Sequence, residues 1–305
     1  MTRAKASNGT ADLNRGTGLL IIEVRHSNPN GDPDAESEPR TLDGDGRGLI
    51  SPVSFKRKLR DLVADHEGPV WLEAKRAVKL EANGDNRQYK ILESRGRNRD
   101  EISDMDAGKF NAAFWDGRVF GNTFLEDLKG KGVKQGEKDH FISTGVVQFG
   151  PGISIAPVEI ERLTTTNKAG VEPGKDRGMA PLGWRVVRHG VYVMPFFVNP
   201  MMARKSGCTS RDIDLMNFLI PHAYHSTASA VRPHVEMRHA WFAEHKSSLG
   251  SCPDSLILDA LAPTKAKGAN EPSNSIVEYE IPKELPRDVR ERLASFEDLC
   301  VKSWG

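Results

Sequence analysis

The feature that most constrains this chain is an apolar run, Leu19, Leu20, Ile21, Ile22 and Val24, that passes through a loop into a capped basic helix. The run is too short for a helix core, so it predicts a buried strand over residues 18–25. Residues 26–48 hold three prolines, four glycines and four aspartates, which is turn-forming loop sequence. Ser51-Pro52 then opens a helix, because Ser51 is a good N-cap and Pro52 suits the first helical position. On that helix Val53, Leu59, Leu62 and Val63 are expected to face the core. Lys56, Arg57, Lys58 and Arg60 sit on its first turns, and Gly68-Pro69 ends it. Strand, loop and basic helix make a cradle suited to a polyanion backbone.

Residues 70–116 are polar and irregular, with a basic tract over 87–99, and read as an insertion packed outside the core. Residues 115–124 restore apolar character ahead of a Gly/Lys loop over 129–138. Residues 145–157 are strand-like, punctuated by Gly150-Pro151-Gly152. An extended arm follows: a β-branched leg over 158–166, a turn-rich tip over 167–174 and a return leg over 177–184. Such an arm buries little by itself and usually grips a ligand or a neighbouring subunit. Residues 189–198 are apolar on both faces, as in a central strand. Thr209 to Asp212 start a helix that runs to about His225, kinked at Pro221, with Ile213, Met216, Leu219, Ile220 and Ala223 on one face. In the next strand, over 235–243, Val235, Met237, His239 and Trp241 alternate with Arg238, Ala240 and Phe242. A linker over 262–275, a short strand over 276–281 and a charged final helix after Pro286 complete the chain. The order strand, helix, strand, repeated, is the split βαβ or ferredoxin-like arrangement of class α+β also used by RNA-recognition domains.

With 305 residues the chain suits one elaborated domain or two small ones, and its formal charge is only +1. That charge is segregated. Residues 40–60 carry six basic and two acidic side chains, residues 75–99 eight and three, and residues 271–298 four and eight. Binding responds to fields within about a Debye length, roughly 8 Å at physiological salt. The basic segments are therefore candidate polyanion contacts, and the two ends suit stacking of one copy on another; solvated faces of opposite sign are the alternative. No apolar run approaches the ~20 residues of a membrane span. Residues 1–16 read as a loose polar tail without the apolar segment of a signal peptide. Cys208, Cys252 and Cys300 are few, odd in number and far apart, which fits a reducing cytoplasm and no disulfide framework or clustered metal site.

Asp32, Asp34, Asp43 and Asp45 share one loop and are either cation ligands or turn formers; no Glu follows at the twelfth position of an EF-hand loop. His222 and His225 lie three apart without a third ligand nearby. His189, His234, His239 and His245 are scattered, and no nucleophile-elbow, P-loop or H-E-x-x-H pattern occurs. Neither a catalytic residue, nor a metal, nor a cofactor is expected. Lys56, Arg57 and Arg60, with Ser54 and the helix amides, instead place donors along one short edge that suits strand phosphates, unless that edge is only a solvated face.

The stretches NPNGDPDA over residues 28–35, RGL then SFKRKLR within 47–60, FGN over 120–122, GVVQ over 145–148 and HGVYV over 189–193 resemble the backbone subunit of type I CRISPR-Cas surveillance complexes (Cascade), closest to the type I-C and I-B branch. The resemblance runs in register over most of residues 18–260 and departs in the basic tract, the Gly/Lys loop and the C-terminal extension. It implies a ferredoxin-like, RRM-like palm with a fingers insertion and a β-hairpin thumb. The implied parts are a tail (1–16), palm (17–63, 117–150 and 189–261), fingers (64–116), thumb arm (151–188) and C-terminal extension (262–305). It also implies RNA contacts at Asn28, Asn30, Ser54, Lys56, Arg57 and Arg60 on the palm, at Gln148, and at Leu163, Thr165, Arg177 and Met179 on the thumb. The implied function is not enzymatic: copies polymerise along a CRISPR guide RNA and present it for pairing with target DNA. Its implied partners are the guide, further copies, other Cascade subunits, the target strand and a recruited helicase-nuclease. A rival from another class remains, because the related type III backbone subunit uses an aspartate in the corresponding loop to cut target RNA, and Asp32 sits in a comparable place. A standalone RNA-recognition protein is a weaker reading, since no RNP-like aromatic pair occurs on a strand.

Overall fold

The computed structural model describes residues 13–80, 88–94, 102, 105–122, 125–127, 138–140, 143–167 and 180–304. Its centre is an eight-stranded sheet. The strands are β1 (Gly16–Ser27), β2 (Arg47–Ile50), β3 (Val147–Phe149), β4 (Gly152–Pro157), β5 (Ile160–Asn167), β6 (Ala180–Val198), β7 (Val235–His245) and β8 (Leu293–Asp298). They lie in the order β8-β7-β1-β6-β4-β2, with β3 and β5 also paired to β6, and every pairing is antiparallel. The apolar run that opens the chain is β1, flanked on both sides. Leu20, Ile22 and Val24 enter the core on one face, Leu19 and Ile21 the core on the other.

Strand β6 joins two elements that the sequence separates. Its C-terminal part pairs with β1 from Val187 to Val198, and its N-terminal part pairs with β5 from Ala180 to Val187. The return leg of the arm and the central strand are therefore one 19-residue strand, and the arm is a direct extension of the sheet.

The strict alternation expected of β7 does not hold. Ile21 pairs with His239 and Ile22 with Met237, which leaves Arg238 as the extra residue of a bulge. The bulge re-phases the strand, so Val235 and Met237 share a core with Ala240 and Phe242, while Trp241 and Ala243 face the opposite one.

One face of the sheet is covered by helices. Helix α1 (Pro52–Ala64) starts where Ser51 caps the Ser54 amide. It buries Phe55, Leu59, Leu62 and Val63, but Val53 is 71% exposed, contrary to expectation, because it shares a face with Lys56 and Arg57. Pro69 does not only end a helix; it starts α2 (Pro69–Ala77) at its first position. The stretch expected to be irregular and outside the core, residues 70–116, also contributes α3 (Ala107–Ala113) and the start of α4 (Trp115–Phe120), and its Trp71, Ala74 and Trp115 belong to the main core. Helix α5 (Ser210–Leu219) has the expected capping box between Thr209 and Asp212. The helix breaks at Pro221 and resumes as a single turn, α6 (His222–His225). The insertion is secured to α5 by a buried ion pair: Arg118 Nη2 lies 2.9 Å from Asp212 Oδ1, and Arg118 Nη1 also donates to the carbonyls of Asn111 and Ala112. No pattern in polar sequence shows that one arginine will carry that packing.

The other face is covered by the C-terminal segment. Ile257 and Leu261 of α7 (Asp254–Leu261), with Tyr279, Leu285, Val289 and Leu293, close over Leu19, Ile21 and Trp241. In place of the expected charged final helix there is one turn (Arg287–Arg290), then β8 at the sheet edge and a short helix α8 (Leu299–Trp304). The expected strand over 276–281 is a 3-10 turn (Ile276–Glu278) followed by two ladder residues, Tyr279–Glu280. Strand β8 escapes notice because an edge strand needs backbone pairing more than an apolar pattern. Of the six, only Leu293 is fully buried. His189, scattered by sequence, is buried between two layers: its Nδ1 lies 2.7 Å from Ser273 Oγ, and its Nε2 is 3.4 Å from Glu23 Oε1. Among the described residues no helix is long and apolar enough to cross a membrane.

Candidate nucleic-acid interface

The loop before α1 is a brace and not an open cradle. The Asn28 side chain is buried, and its Nδ2 donates to the carbonyls of Ser37 (2.6 Å) and Arg185 (3.2 Å). Glu36 and Ser37 adopt left-handed backbone, and a Cβ on Gly31 would stand 2.8 Å from the Ser37 carbonyl oxygen, so the turn requires glycine there. Asn30 Oδ1 accepts from the Ser51 amide at 2.7 Å and thereby fixes where α1 begins. Asn28 and Asn30, expected to touch a ligand, are thus spent on the protein itself. Asp32 is likewise engaged: it accepts from the Asp34 amide and pairs with Arg40 at 3.2 Å. Among the described residues no group of three or more His, Cys, Asp or Glu side chains is placed to hold a metal ion.

The basic face of α1 splits into separate environments. Arg60, expected as an open cation, is 9% exposed, and its Nε lies 2.8 Å from Asp116 Oδ2, beside the Phe120 ring. Arg57 pairs with Asp61 at 2.7 Å and donates to the Glu93 carbonyl, but its guanidinium remains nearly half exposed. Lys56 lies over the Phe120 ring at 5.4 Å, and among the described residues no carboxylate is within ion-pair reach of it. Burial and the neighbouring Arg60 charge push its titration below the ordinary lysine value. An ammonium held this way gains from any anion that reaches it.

Lys56 and Arg57 open onto a cavity of about 570 Å³. Its lining draws together three separate stretches: Val53, Lys56, Arg57 and Arg60 from α1, Phe120, Gly121 and Asn122 at the end of α4 and just beyond it, and Gly145 and Gln148 before and within β3. Gln148 is exposed, and its Nε2 donates to the Gly145 carbonyl. Glu93 stands at the rim. Ser54 belongs to the same first turn but does not line the cavity. The arrangement offers Lys56 and Arg57, the Asn122 and Gln148 side chains and an apolar ring on a concave surface, with Arg60 there already paired to Asp116 and Glu93 its one acid, which suits a strand backbone with a base or sugar laid beside it. Phe120, Asn122 and Asp116 were not singled out by sequence reasoning; the FGN stretch was the available signal for the first two.

The arm projects from the same sheet. Leu163 lies on β5 opposite Trp184 and is 41% exposed; Thr165 is opposite Leu182. None of the described arm residues lines the cavity. Arg177 and Met179 lie outside the described residues, as do residues 87 and 95–99 of the basic tract and most of the Gly/Lys loop. The base of the arm is oriented by ion pairs of Arg185 with Glu36 (2.9 Å) and Glu38 (2.8 Å), and by a hydrogen bond between His26 and Glu161 (3.1 Å). These pairs are largely exposed, so they direct the arm more than they stabilise it.

Comparison with known proteins brings a family to this geometry. The family profile described as CRISPR-associated protein Cas7 matches residues 14–284. A curated relative, the CRISPR-associated protein Cas7 of Haloferax volcanii, is 26% identical over 221 residues, which is 68% of this chain and 63% of the relative. The chain thus spans less than two thirds of that relative's length. Among solved structures, a CRISPR RNA-guided surveillance complex in a pre-nicking state aligns with a TM-score of 0.44 at 12% identity, over 75% of this chain and 78% of that one. A second CRISPR RNA-guided surveillance complex aligns at 0.40 and 14%, over 75% and 68%. A Type III-B Cmr-beta complex bound to cognate target RNA aligns at 0.38 and 10%, over 76% and 61%.

Proposed function

This chain belongs to the CRISPR-associated Cas7 family, and from that premise we propose that it is a non-catalytic backbone subunit holding a CRISPR guide RNA by its phosphates. The observation that carries the reading is the convergence of the SFKRKLR, FGN and GVVQ stretches on one cavity with Lys56 above Phe120. Three stretches that are separate in sequence meet there, and what they present is positive charge beside an aromatic face.

In this reading the strands β7-β1-β6 with β3 and β4, covered by α1 and α5, are a ferredoxin-like palm. Residues 64–116 are the fingers, and the β5–β6 arm within residues 151–188 is the thumb. Copies of the chain stack along the guide with each arm directed at its neighbour, and the bases are left free to pair with a target DNA strand. Other Cascade subunits and a recruited helicase-nuclease complete the assembly in the cytoplasm, in a system of the type I-C or I-B kind. The protein's own work is physical: it neutralises phosphates, holds the backbone in register and shields it from nucleases. The metal-dependent nuclease reading draws no support from Asp32, whose Oδ1 is engaged by Arg40 and the Asp34 amide and which has no cluster of acids or histidines placed with it among the described residues.

Lys56→Ala combined with Arg57→Ala tests the proposal in the assembled complex. The double variant is expected to co-purify with much less guide RNA, whatever the guide's sequence. Retention equal to the wild type overturns the assignment.

A further inference from the structure

The outward face of α5 carries chemistry that the Lys56 cavity does not use. Asp214, Asn217 and Phe218 stand three and four residues apart, so they share one side of the helix. Ile213, Met216 and Leu219 turn the other way, into the main core. The first three line a second cavity, of about 780 Å³, whose walls come from α2 and α8. Val70, Val78 and Leu299 form its apolar part. The Phe218 ring is 5.3 Å from the His222 ring between centroids, and His222 Nε2 lies 2.9 Å from Ser303 Oγ. The aromatic wall is thereby fixed to α8.

Two acceptors in this cavity lack partners. Among the described residues the Asp214 carboxylate makes neither an ion pair nor a hydrogen bond. It is open to the cavity, yet the protein around it has displaced part of its water. That loss, with the Glu244 and Glu297 charges, raises its titration, and Lys302 and Arg211 act the other way. Asn217 Oδ1 is buried, and no donor among the described residues reaches it. A buried acceptor in that state is costly until a donor arrives. The other acids of the lining are already engaged: Glu73 with Arg76 at 3.1 Å and Glu297 with Lys302 at 3.0 Å. Lys79, on the left-handed turn just after α2, lines the cavity without an ion pair among the described residues.

We infer that this cavity receives an arginine side chain of a partner protein, held by Asp214, Asn217 and Phe218. A guanidinium carries five donors in one plane, enough for the carboxylate and the Asn217 oxygen together, and it has a flat face for the ring. Its methylene stem suits the apolar walls. A lysine ammonium matches the carboxylate alone, because it is a point charge without a planar fork.

Two observations make the occupant a polypeptide and not a free guanidinium compound. The volume exceeds what one side chain fills, and the cavity borders β8, the terminal strand of the sheet. Glu297 of β8 is in the lining, and its ladder partner Phe242 belongs to the helix-side core, so the cavity lies on that side of the sheet edge. A terminal strand turns backbone N–H and C=O groups outward, where an incoming chain can pair with them. Lys79 offers one more donor to the carbonyls of such a chain. The inference is independent of the guide-RNA reading, since no residue lines both cavities.

The experiment titrates the full chain, by fluorescence anisotropy, with a labelled and end-capped peptide of alternating arginine and valine. Its lysine counterpart and free arginine serve as competitors. The arginine peptide should bind about tenfold or more tighter than the lysine peptide, and free arginine should compete only weakly. Asp214→Asn should weaken the arginine peptide about tenfold or more. Asn217→Leu removes the orphaned acceptor at similar volume; it should weaken binding about threefold without lowering the melting temperature. Lys56→Ala should leave the peptide's affinity unchanged, which separates this test from that of guide loading. Unchanged affinity in both Asp214→Asn and Asn217→Leu, equal binding of the lysine peptide, or no saturable binding by the wild type overturns the inference. Free arginine competing as well as the peptide overturns the polypeptide occupant. A lower self-association mass in Asp214→Asn, read by light scattering, would make the occupant a second copy and overturn the separate partner.

Discussion

Asp116 receives Arg60 Nε on Oδ2 at 2.8 Å while its Oδ1 accepts the Leu92 amide at 2.7 Å. One carboxylate, 1% exposed, therefore ties α1, residues 92–93 and α4 together, and it removes Arg60 from any role as an open cation. Removing it leaves a buried guanidinium without a partner. Asp116→Ala is expected to cost about 3–5 kcal/mol of folding stability, read as a lowered denaturant midpoint with an unchanged slope. A loss under about 1 kcal/mol would mean that Arg60 finds water or another acceptor, and the brace would be unimportant.

The Lys56–Arg57 pair leads to a different kind of prediction, because its contacts are electrostatic and indifferent to sequence. For single strands the slope of log K against log salt changes by about 0.7 for each phosphate contact. Lys56→Ala should reduce that slope by roughly one contact, equally for guides of unrelated sequence. A loss confined to particular sequences would instead point to base readout by this edge.

Asp32 separates the non-catalytic reading from the nuclease one. Incubating the assembled complex with RNA complementary to the guide and with magnesium is expected to return the RNA intact. Regularly spaced cuts that vanish in Asp32→Ala would overturn the backbone-only reading.

Asp298 makes the stability of the C-terminal edge pH-dependent. Burial raises its titration, but the His239 ring at 2.6 Å and the amides of Ala240 and Cys300 more than offset this, so its folded-state value is depressed. A depressed carboxylate stabilises the fold above its unfolded titration point, near 3.9, and that contribution is lost as pH falls through the folded value. Asp298→Asn should therefore lower the melting temperature at neutral pH, with the gap to wild type closing in strong acid. A gap that stays constant down to that range would rule the carboxylate out as its source.

Gly145 marks the cavity floor as sterically fixed. A Cβ there would stand 2.2 Å from the Phe120 carbonyl carbon, which is backbone and cannot swing aside. Gly145→Ala should cost about 1–3 kcal/mol and should weaken guide loading by shifting Phe120. Full stability and full loading in that variant would show that the floor adapts.

Several elements were legible in the residues because their causes are local. Ser51-Pro52 caps and starts α1, Thr209 with Asp212 forms a capping box, Pro221 breaks its helix, and the run from Leu19 to Val24 is a strand buried on both faces. The parts that were not legible depend on partners distant in sequence. The bulge at Arg238 is set by how β7 pairs with β1, some 200 residues away, and strand β8 exists because the edge of β7 was open to it.

The candidate site divides along the same line. Lys56, Arg57, Lys58 and Arg60 form one basic stretch, and by itself the sequence determined that stretch's charge, its helix and its cap. Which cation is open was decided only by tertiary structure. Arg60 meets Asp116, 56 residues on; Lys58 meets the Tyr224 ring; Lys56 is left over Phe120 facing a cavity. The physical reason is that a charge's availability depends on which countercharge and how much water the fold places beside it, and neither is a property of the residue or of its neighbours in the chain.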